Sequence, residues 1–249
     1  MQLSVRGGFI FLAMSMGLLG CQRAPLTLEQ LIERHTEAVG GRTTIEAVRS
    51  IRVDLHIVDP GFEVDGIYLA ARPGRMRIDV SADGQHVFTE ALGEKGAWQW
   101  KGKGEPVEAS AMATAALRHG VELPGHIFGL HELRQRGHRV ELAGREMVGQ
   151  VNYHVLRVTF ADGYNTKLYL DPESWLITRR RDVRALHPDV DPTPTTIEST
   201  MTDFQQVDGL LFAFTSTDTD LTTGKTLEKA TVRSITVNPP LDPGVFEKL

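Results

Sequence analysis

Ser50-Ile51-Arg52-Val53-Asp54-Leu55-His56-Ile57-Val58-Asp59 is the stretch on which the fold assignment rests. Val53, Leu55 and Ile57 alternate with Arg52, Asp54 and His56, so the period is two and one face of an extended strand is apolar. Pro60-Gly61 then turns the chain. Phe62–Ala71 reads as the next strand, and Pro73-Gly74 turns again. Met76, Ile78 and Val80 alternate with Arg75, Arg77 and Asp79 in a third. Asp83-Gly84 leads into a strand around His86–Leu92, and Glu94-Lys95-Gly96 into one that carries Trp98 and Trp100 on the same face. Turn signals this regular between alternating segments predict a meander of hairpin-linked antiparallel strands.

The pattern on either side differs. Upstream, Thr27-x-x-Gln30 is a capping box, and Leu28, Leu31, Ile32, His35 and Val39 follow the spacing of one buried helical stripe. Gly40-Gly41 ends that helix, and Thr43-x-x-Glu46 starts a short second one through Ile45 and Val48. Downstream, Glu108–His119 is Ala-rich with helical spacing at Met112, Ala115 and Ala116, and a second helical segment is expected over Ile127–Arg136 after Pro124-Gly125. Strands resume at Val140 and continue through Tyr153–Phe160, Lys167–Leu170 and Trp175–Ala185. A Pro-rich loop over His187–Pro194 precedes strands at Thr196–Gln206, Leu210–Leu221 and Thr226–Val237. About eleven strands with helices in two places and no βαβ alternation make the chain mainly β (α+β), built on one large curved antiparallel sheet. So few helical residues are too little to fill the apolar side of such a sheet, which predicts a partly empty apolar cavity.

The order of elements resembles the LolA/LolB-type fold of bacterial lipoprotein carriers. The likeness lies in an N-terminal helix ending at Gly40-Gly41, then five strands, a helical interruption and six more strands. Local phrases agree at Gly144, Glu146, Val148 and Gly149 before the Tyr153-x-Val155 strand. They agree also in Leu168-Tyr169-Leu170-Asp171-Pro172-Glu173 and in Asp203-Phe204-x-x-Val207-Asp208-Gly209-Leu210. The resemblance implies a half-open barrel with helices as a lid, and a cavity that receives acyl chains of lipoproteins or lipids. It carries over no individual binding residue.

The first twenty residues carry Arg6 and then the uncharged run Gly7–Leu19, shorter than the roughly 20 residues a membrane-spanning helix needs. A basic start, a short apolar core and small residues at its end read as a secretory signal. Leu18-Leu19-Gly20-Cys21 resembles the lipobox of bacterial lipoproteins, which implies cleavage between Gly20 and Cys21 and acylation of Cys21 with chains such as palmitate. Cys21 is the sole cysteine of 249 residues, so an internal disulfide or a Cys-rich zinc site is excluded. Gln22 follows it where Asp would imply inner-membrane retention, so the expected site is the periplasmic face of the outer membrane. The expected organisation is a signal over 1–20, a lipidated Cys and tether over 21–26, and one LolA/LolB-like half-barrel domain over 27–249. A tether of about five residues reaches at most roughly 18 Å.

The formal net charge of −5 gives no electrostatic reason to expect nucleic acid as a partner. No Gly-x-Ser-x-Gly, His-Glu-x-x-His or phosphate-binding Gly loop is present, so the chain reads as non-enzymatic, with no cofactor and no metal. Glu29, Glu33 and Glu37 read as a solvated helical face, and His119, His126, His131 and His138 lack the close pairing of a metal site. Trp98, Trp100, Phe212 and Phe214 are candidates to line the cavity. In the basic run Arg179-Arg180-Arg181, strand alternation puts Arg179 and Arg181 on one face and Arg180 on the other; Arg179 and Arg181 are the candidate charges at the cavity mouth. The expected protein is a monomer held at a membrane by its acyl anchor, binding lipid or an acylated lipoprotein, with a periplasmic carrier as a further partner. The alternative is a sensor or assembly module that uses the same fold to bind a protein.

Overall fold

A computed structural model describes residues 25–248; Gly20, Cys21 and the signal lie outside the described residues. Helix α1 (Leu28–Val39) begins at the expected capping box: Thr27 Oγ1 accepts from the Gln30 amide at 3.2 Å, and the Gln30 side chain accepts from the Thr27 amide at 2.9 Å. Its buried stripe is Leu31, Ile32, His35 and Thr36. Gly40 caps it with φ 135°, and a Cβ there would lie 2.3 Å from the Gly209 carbonyl oxygen. Glycine is therefore needed twice over, for the backbone angle and for the close approach of a distant turn. Helix α2 (Arg42–Glu46) follows directly.

Six strands come next: β1 (Ser50–Asp59), β2 (Phe62–Ala71), β3 (Arg75–Ala82), β4 (Gln85–Leu92), β5 (Ala97–Trp100) and the short β6 (Val107–Glu108). Helix α3 (Ala111–Glu122) starts where the Ser110 hydroxyl accepts from the Ala113 amide. The chain then returns to strands as β7 (Arg139–Val148), β8 (Val151–Thr159), β9 (Asn165–Leu170), β10 (Ile177–Arg184), β11 (Thr195–Val207), β12 (Leu210–Asp220) and β13 (Thr226–Val237). All pair antiparallel in one sheet of order β6-β5-β4-β3-β2-β1-β13-β12-β11-β10-β9-β8-β7.

Every neighbour pair but one is consecutive in sequence. The exception is the seam between β1 and β13, from which the two halves of the chain meander outward. The sheet ends on β6 and β7, which do not pair with each other, so the barrel stays open. Residues 109–138 join those two edges and must cross the gap between them. This is why α3 and the loop after it form a lid: the connection has nowhere else to run.

The strand count is 13, against the expected eleven or so. A two-residue β6 not expected from the sequence extends one edge, and the strands expected from Val140 and over Tyr153–Phe160 are the β7–β8 hairpin at the other. The helix expected over Ile127–Arg136 is instead a single 3₁₀ turn at Leu130–Glu132. Gly129 is extended there, and the Glu132 carboxylate accepts from the Gly129 amide at 2.7 Å while it also holds Arg72. A local side-chain bond of this kind competes with continued helix.

The apolar inner face of the sheet meets the helices in two clusters. In one, Ile51, Val53, Ala70, Phe212 and Phe214 pack against Ile45, Val48, Ile127 and Phe128. In the other, Leu31 of α1 packs with Leu130, Leu133, Leu156 and Leu168.

Candidate functional site

Strand alternation gives the sheet a concave face that is apolar over β1–β3, and the lid lies across it. A cavity of about 390 Å³ separates the two, within the size range of small-molecule sites. From the lid side it is lined by Val39 of α1, by Ile45 and Val48, and by Leu123, His126 and Phe128 after α3. From the sheet side come Val53 and Leu55 of β1, Tyr68 of β2, Ile78 of β3, Leu168 of β9 and Phe212 of β12. The Tyr68 and His126 rings meet at a centroid distance of 5.2 Å where sheet and lid approach. Burial pushes the Tyr68 hydroxyl up. His35, also in the wall, is buried with Nδ1 2.9 Å from the Trp175 carbonyl oxygen. Burial lowers its imidazole to about 4 although that hydrogen bond works the other way, so the ring is neutral at pH 7 and donates from Nδ1.

The other end of the wall is polar. Arg180 of β10, Ser199 of β11, and Ser216 and Asp218 of β12 line it, side by side across the strand register. Behind them Asp182 is fully buried between two guanidinium groups, with Arg180 Nε 3.0 Å away and Arg184 in direct contact. Burial alone would raise the Asp182 carboxyl; the two arginines hold it below the ordinary carboxylate range. Arg184 also donates to Asp218 at 2.6 Å. Glu228 of β13 pairs with Asp218 in the ladder. Burial, reinforced by the charges of Asp218 and Asp59, pushes the Glu228 carboxyl up to about 7, with Arg184 opposing.

The aromatic and basic residues singled out in the sequence fall in different places. Phe212 lines the cavity, and Phe214 is buried in the main core outside its lining. Trp98 and Trp100 occupy the other face of β5 from Ala97, which belongs to the inner core. There the Trp98 indole donates to the Phe246 carbonyl at 2.9 Å under Arg77, and Trp100 packs at a tilt against His86. Arg179 and Arg181 lie on the outer face of β10. Arg179 pairs with Glu198 at 2.6 Å; Arg181 pairs with Glu198 and Glu146, each at 2.6 Å, over the Tyr169 ring. It is Arg180 that reaches the cavity. Alternation had separated Arg180 from its neighbours, but the apolar residues of β10, Ile177 and Val183, share the parity of Arg179 and Arg181; a bulge between Ile177 and Arg179 turns that parity outward, leaving Val183 exposed, so the hydrophobic pattern pointed to the wrong face.

Three of the four histidines singled out each meet one carboxylate, His119 with Asp162 at 2.6 Å, His138 with Glu122 at 2.7 Å and His131 with Glu46 at 3.3 Å, while His126 packs on Tyr68. Glu29 and Glu33 are engaged on the surface by Arg134 and Arg42. Among the described residues no group of three His, Cys, Asp or Glu side chains is placed to hold a metal ion, and no helix is long and apolar enough to cross a membrane.

No protein-family model and no curated protein matches the sequence. Solved structures do match. A LolA superfamily protein from Nitrosomonas europaea superposes with a TM-score of 0.58 at 11% identity, over 90% of this chain and 99% of that one. An outer-membrane lipoprotein-sorting protein domain from Vibrio parahaemolyticus gives 0.58 at 12% identity, over 87% and 96%. A DUF1329 family protein from Desulfovibrio piger gives 0.57 at 10% identity, over 88% and 96%. At these identities the likeness is one of fold: this chain shares the half-open antiparallel barrel and helical lid of LolA-superfamily proteins.

Proposed function

We propose that this protein is a non-enzymatic carrier or acceptor that binds acyl chains of lipoproteins or lipids in its cavity, and that it works in their trafficking to the outer membrane. The observation that carries the reading is the cavity itself, walled at one end by aliphatic and aromatic side chains from both sheet and lid. A chain that buries ten methylenes there gains about 8 kcal/mol from burial, which suffices for micromolar binding before the cost of ordering the chain. Such binding is governed by chain length rather than by the chemistry of the acyl ester. The lipobox-like Cys21 supports attachment to the membrane by acylation, and two or three chains on one residue hold a protein there stably. The shared fold of a lipoprotein-sorting domain agrees with this reading.

The direct test is to express the full chain in a bacterial envelope, purify it and identify the lipids that accompany it by mass spectrometry. Stoichiometric lipid or acylated peptide is the expected result. Its consistent absence, with no uptake of an apolar dye, sinks the reading and favours a protein partner. Metabolic labelling with palmitate tests the anchor: wild type incorporates label and Cys21→Ser does not.

A further inference from the structure

We propose that the polar end of the cavity is a headgroup site, in which Arg180 is the counter-ion for an anionic group, a carboxylate or phosphate, at the end of the bound acyl chain. This rests on the acyl-chain reading above and narrows it to one chemical class of ligand.

The argument begins with charge pairing along the inner faces of β10 to β12. Asp218, Arg184, Asp182 and Arg180 form a row of alternating sign. Arg184 touches both carboxylates, whereas Arg180 has Asp182 only, and must share it with Arg184. Arg180 therefore has fewer carboxylate contacts than Arg184, the other cation of the row. Its Nη2 donates to Ser199 Oγ at 3.3 Å, but its buried Nε finds no hydrogen-bond partner although Asp182 Oδ2 is 3.0 Å away. A guanidinium carries five donors, more than one hydroxyl and a shared carboxylate can engage. The other arginines of the run are occupied: Arg179 and Arg181 by Glu198 and Glu146 outside, Arg184 by Asp182 and Asp218 inside.

Place adds to charge. Arg180 and Ser199 line the cavity, and Leu168 stands beside Arg180 across the β9–β10 ladder, where the apolar wall begins. A tail along the apolar wall would bring a terminal anion to this guanidinium, where bonds to an ionised acceptor are short and strong. Glu228 and Asp59 lie further along the strands around Asp218, which Arg184 already neutralises. The acyl end of a diacylglyceryl-modified cysteine carries no charge, so the site favours free fatty acids or phospholipids over lipoprotein anchors.

The test holds the full chain in nanodiscs of an uncharged diglycosyl diacylglycerol, which offers no phosphate to Arg180, at pH 7.5, with protein-free nanodiscs to subtract partitioning. Dodecanoate, dodecyl phosphate and dodecanol are titrated as displacers of one fluorescent C12 probe. Wild type is expected to bind the two anions about tenfold more tightly than the alcohol. Arg180→Gln is expected to bring that ratio close to one, with measurable displacement by dodecanol reporting that the cavity is still formed, and Arg180→Lys to keep part of the preference. Equal binding of anion and alcohol by wild type, or a preference that survives Arg180→Gln, overturns the headgroup site and leaves the acyl reading standing. If none of the three binds, the acyl reading falls and the headgroup site with it. Displacement by inorganic phosphate as effective as by dodecyl phosphate also overturns the proposal, since the site would then serve a free anion.

Discussion

Glu228 sits on β13 opposite Asp218 of β12, with Asp59 also nearby. Its carboxyl is held up at about 7 by burial and by those two negative charges, against an ordinary value of 4.5. Between these pH values the folded protein binds more protons than the unfolded chain, so this group makes stability fall as pH rises from about 4.5 to about 7. His35 acts in the opposite sense. Its imidazole is lowered to about 4, so the stability it supports is present above its ordinary 6.5 and is lost as pH falls toward 4. Glu228→Gln removes the first effect and leaves the second. Relative to wild type, the variant is expected to gain about 1–3 kcal/mol at pH 8 and almost nothing at pH 4.5. Urea unfolding midpoints at the two pH values check this; an equal gain at both would mean that packing rather than ionisation is responsible.

At the scale of elements, the lid is tied to the sheet by a clamp. Arg72, in the turn between β2 and β3, donates to both oxygens of Glu132 at 2.6 and 3.1 Å, and its Nε donates to the Val48 carbonyl at 2.7 Å. Both side chains are largely buried, at 19% and 10% exposure. Phe128 lies between the Arg72 and Arg136 guanidinium groups, 4.6 and 3.5 Å from its ring centroid. One partner removed from such a pair leaves a buried charge without compensation. Arg72→Met is therefore expected to destabilise the protein by about 3–5 kcal/mol, whereas Arg72→Met with Glu132→Leu recovers most of that. Chemical denaturation of both variants tests the clamp. A double variant no more stable than the single would mean that Arg72 acts through packing on Phe128. The Glu132 carboxylate also explains why residues 127–136 make one 3₁₀ turn instead of the helix expected from spacing: it is committed to the Gly129 amide and to Arg72.

For the whole molecule, the decisive contact is the seam of β1 with β13, where Ile51 meets Val237 and Val53 meets Ile235. Each meander is built from neighbours in sequence, but the seam joins chain segments nearly the full length of the domain apart. Closing so long a loop is entropically unfavourable, so the hairpins should form before it. Ile51 and Leu92 are both buried, the first on the seam strand and the second in the β3–β4 hairpin. Truncation of either to Ala is expected to destabilise by about 2–5 kcal/mol. Ile51→Ala should act mainly by faster unfolding, and Leu92→Ala partly by slower folding. Stopped-flow refolding of the two variants tests the order; a larger folding defect in Ile51→Ala would reverse it.

The sequence alone determined the meanders, because a period of two and turn residues such as Pro60-Gly61 and Asp208-Gly209 act between neighbours. It determined α1 for the same reason: Thr27 and Gln30 cap each other within one turn. It also showed that Arg180 points away from Arg179 and Arg181, since alternation is a property of any strand. Which of those faces is the inside was decided only by tertiary structure. Local hydrophobicity misleads there, since Ile177 and Val183 share the parity of Arg179 and Arg181, and the direction is imposed by the bulge after Ile177 and by the ladder with β9 and β11, through Leu168 and Ser199. The same holds for Trp98, whose indole found its partner in the Phe246 carbonyl of the C-terminal tail, a contact between residues that no local pattern brings together.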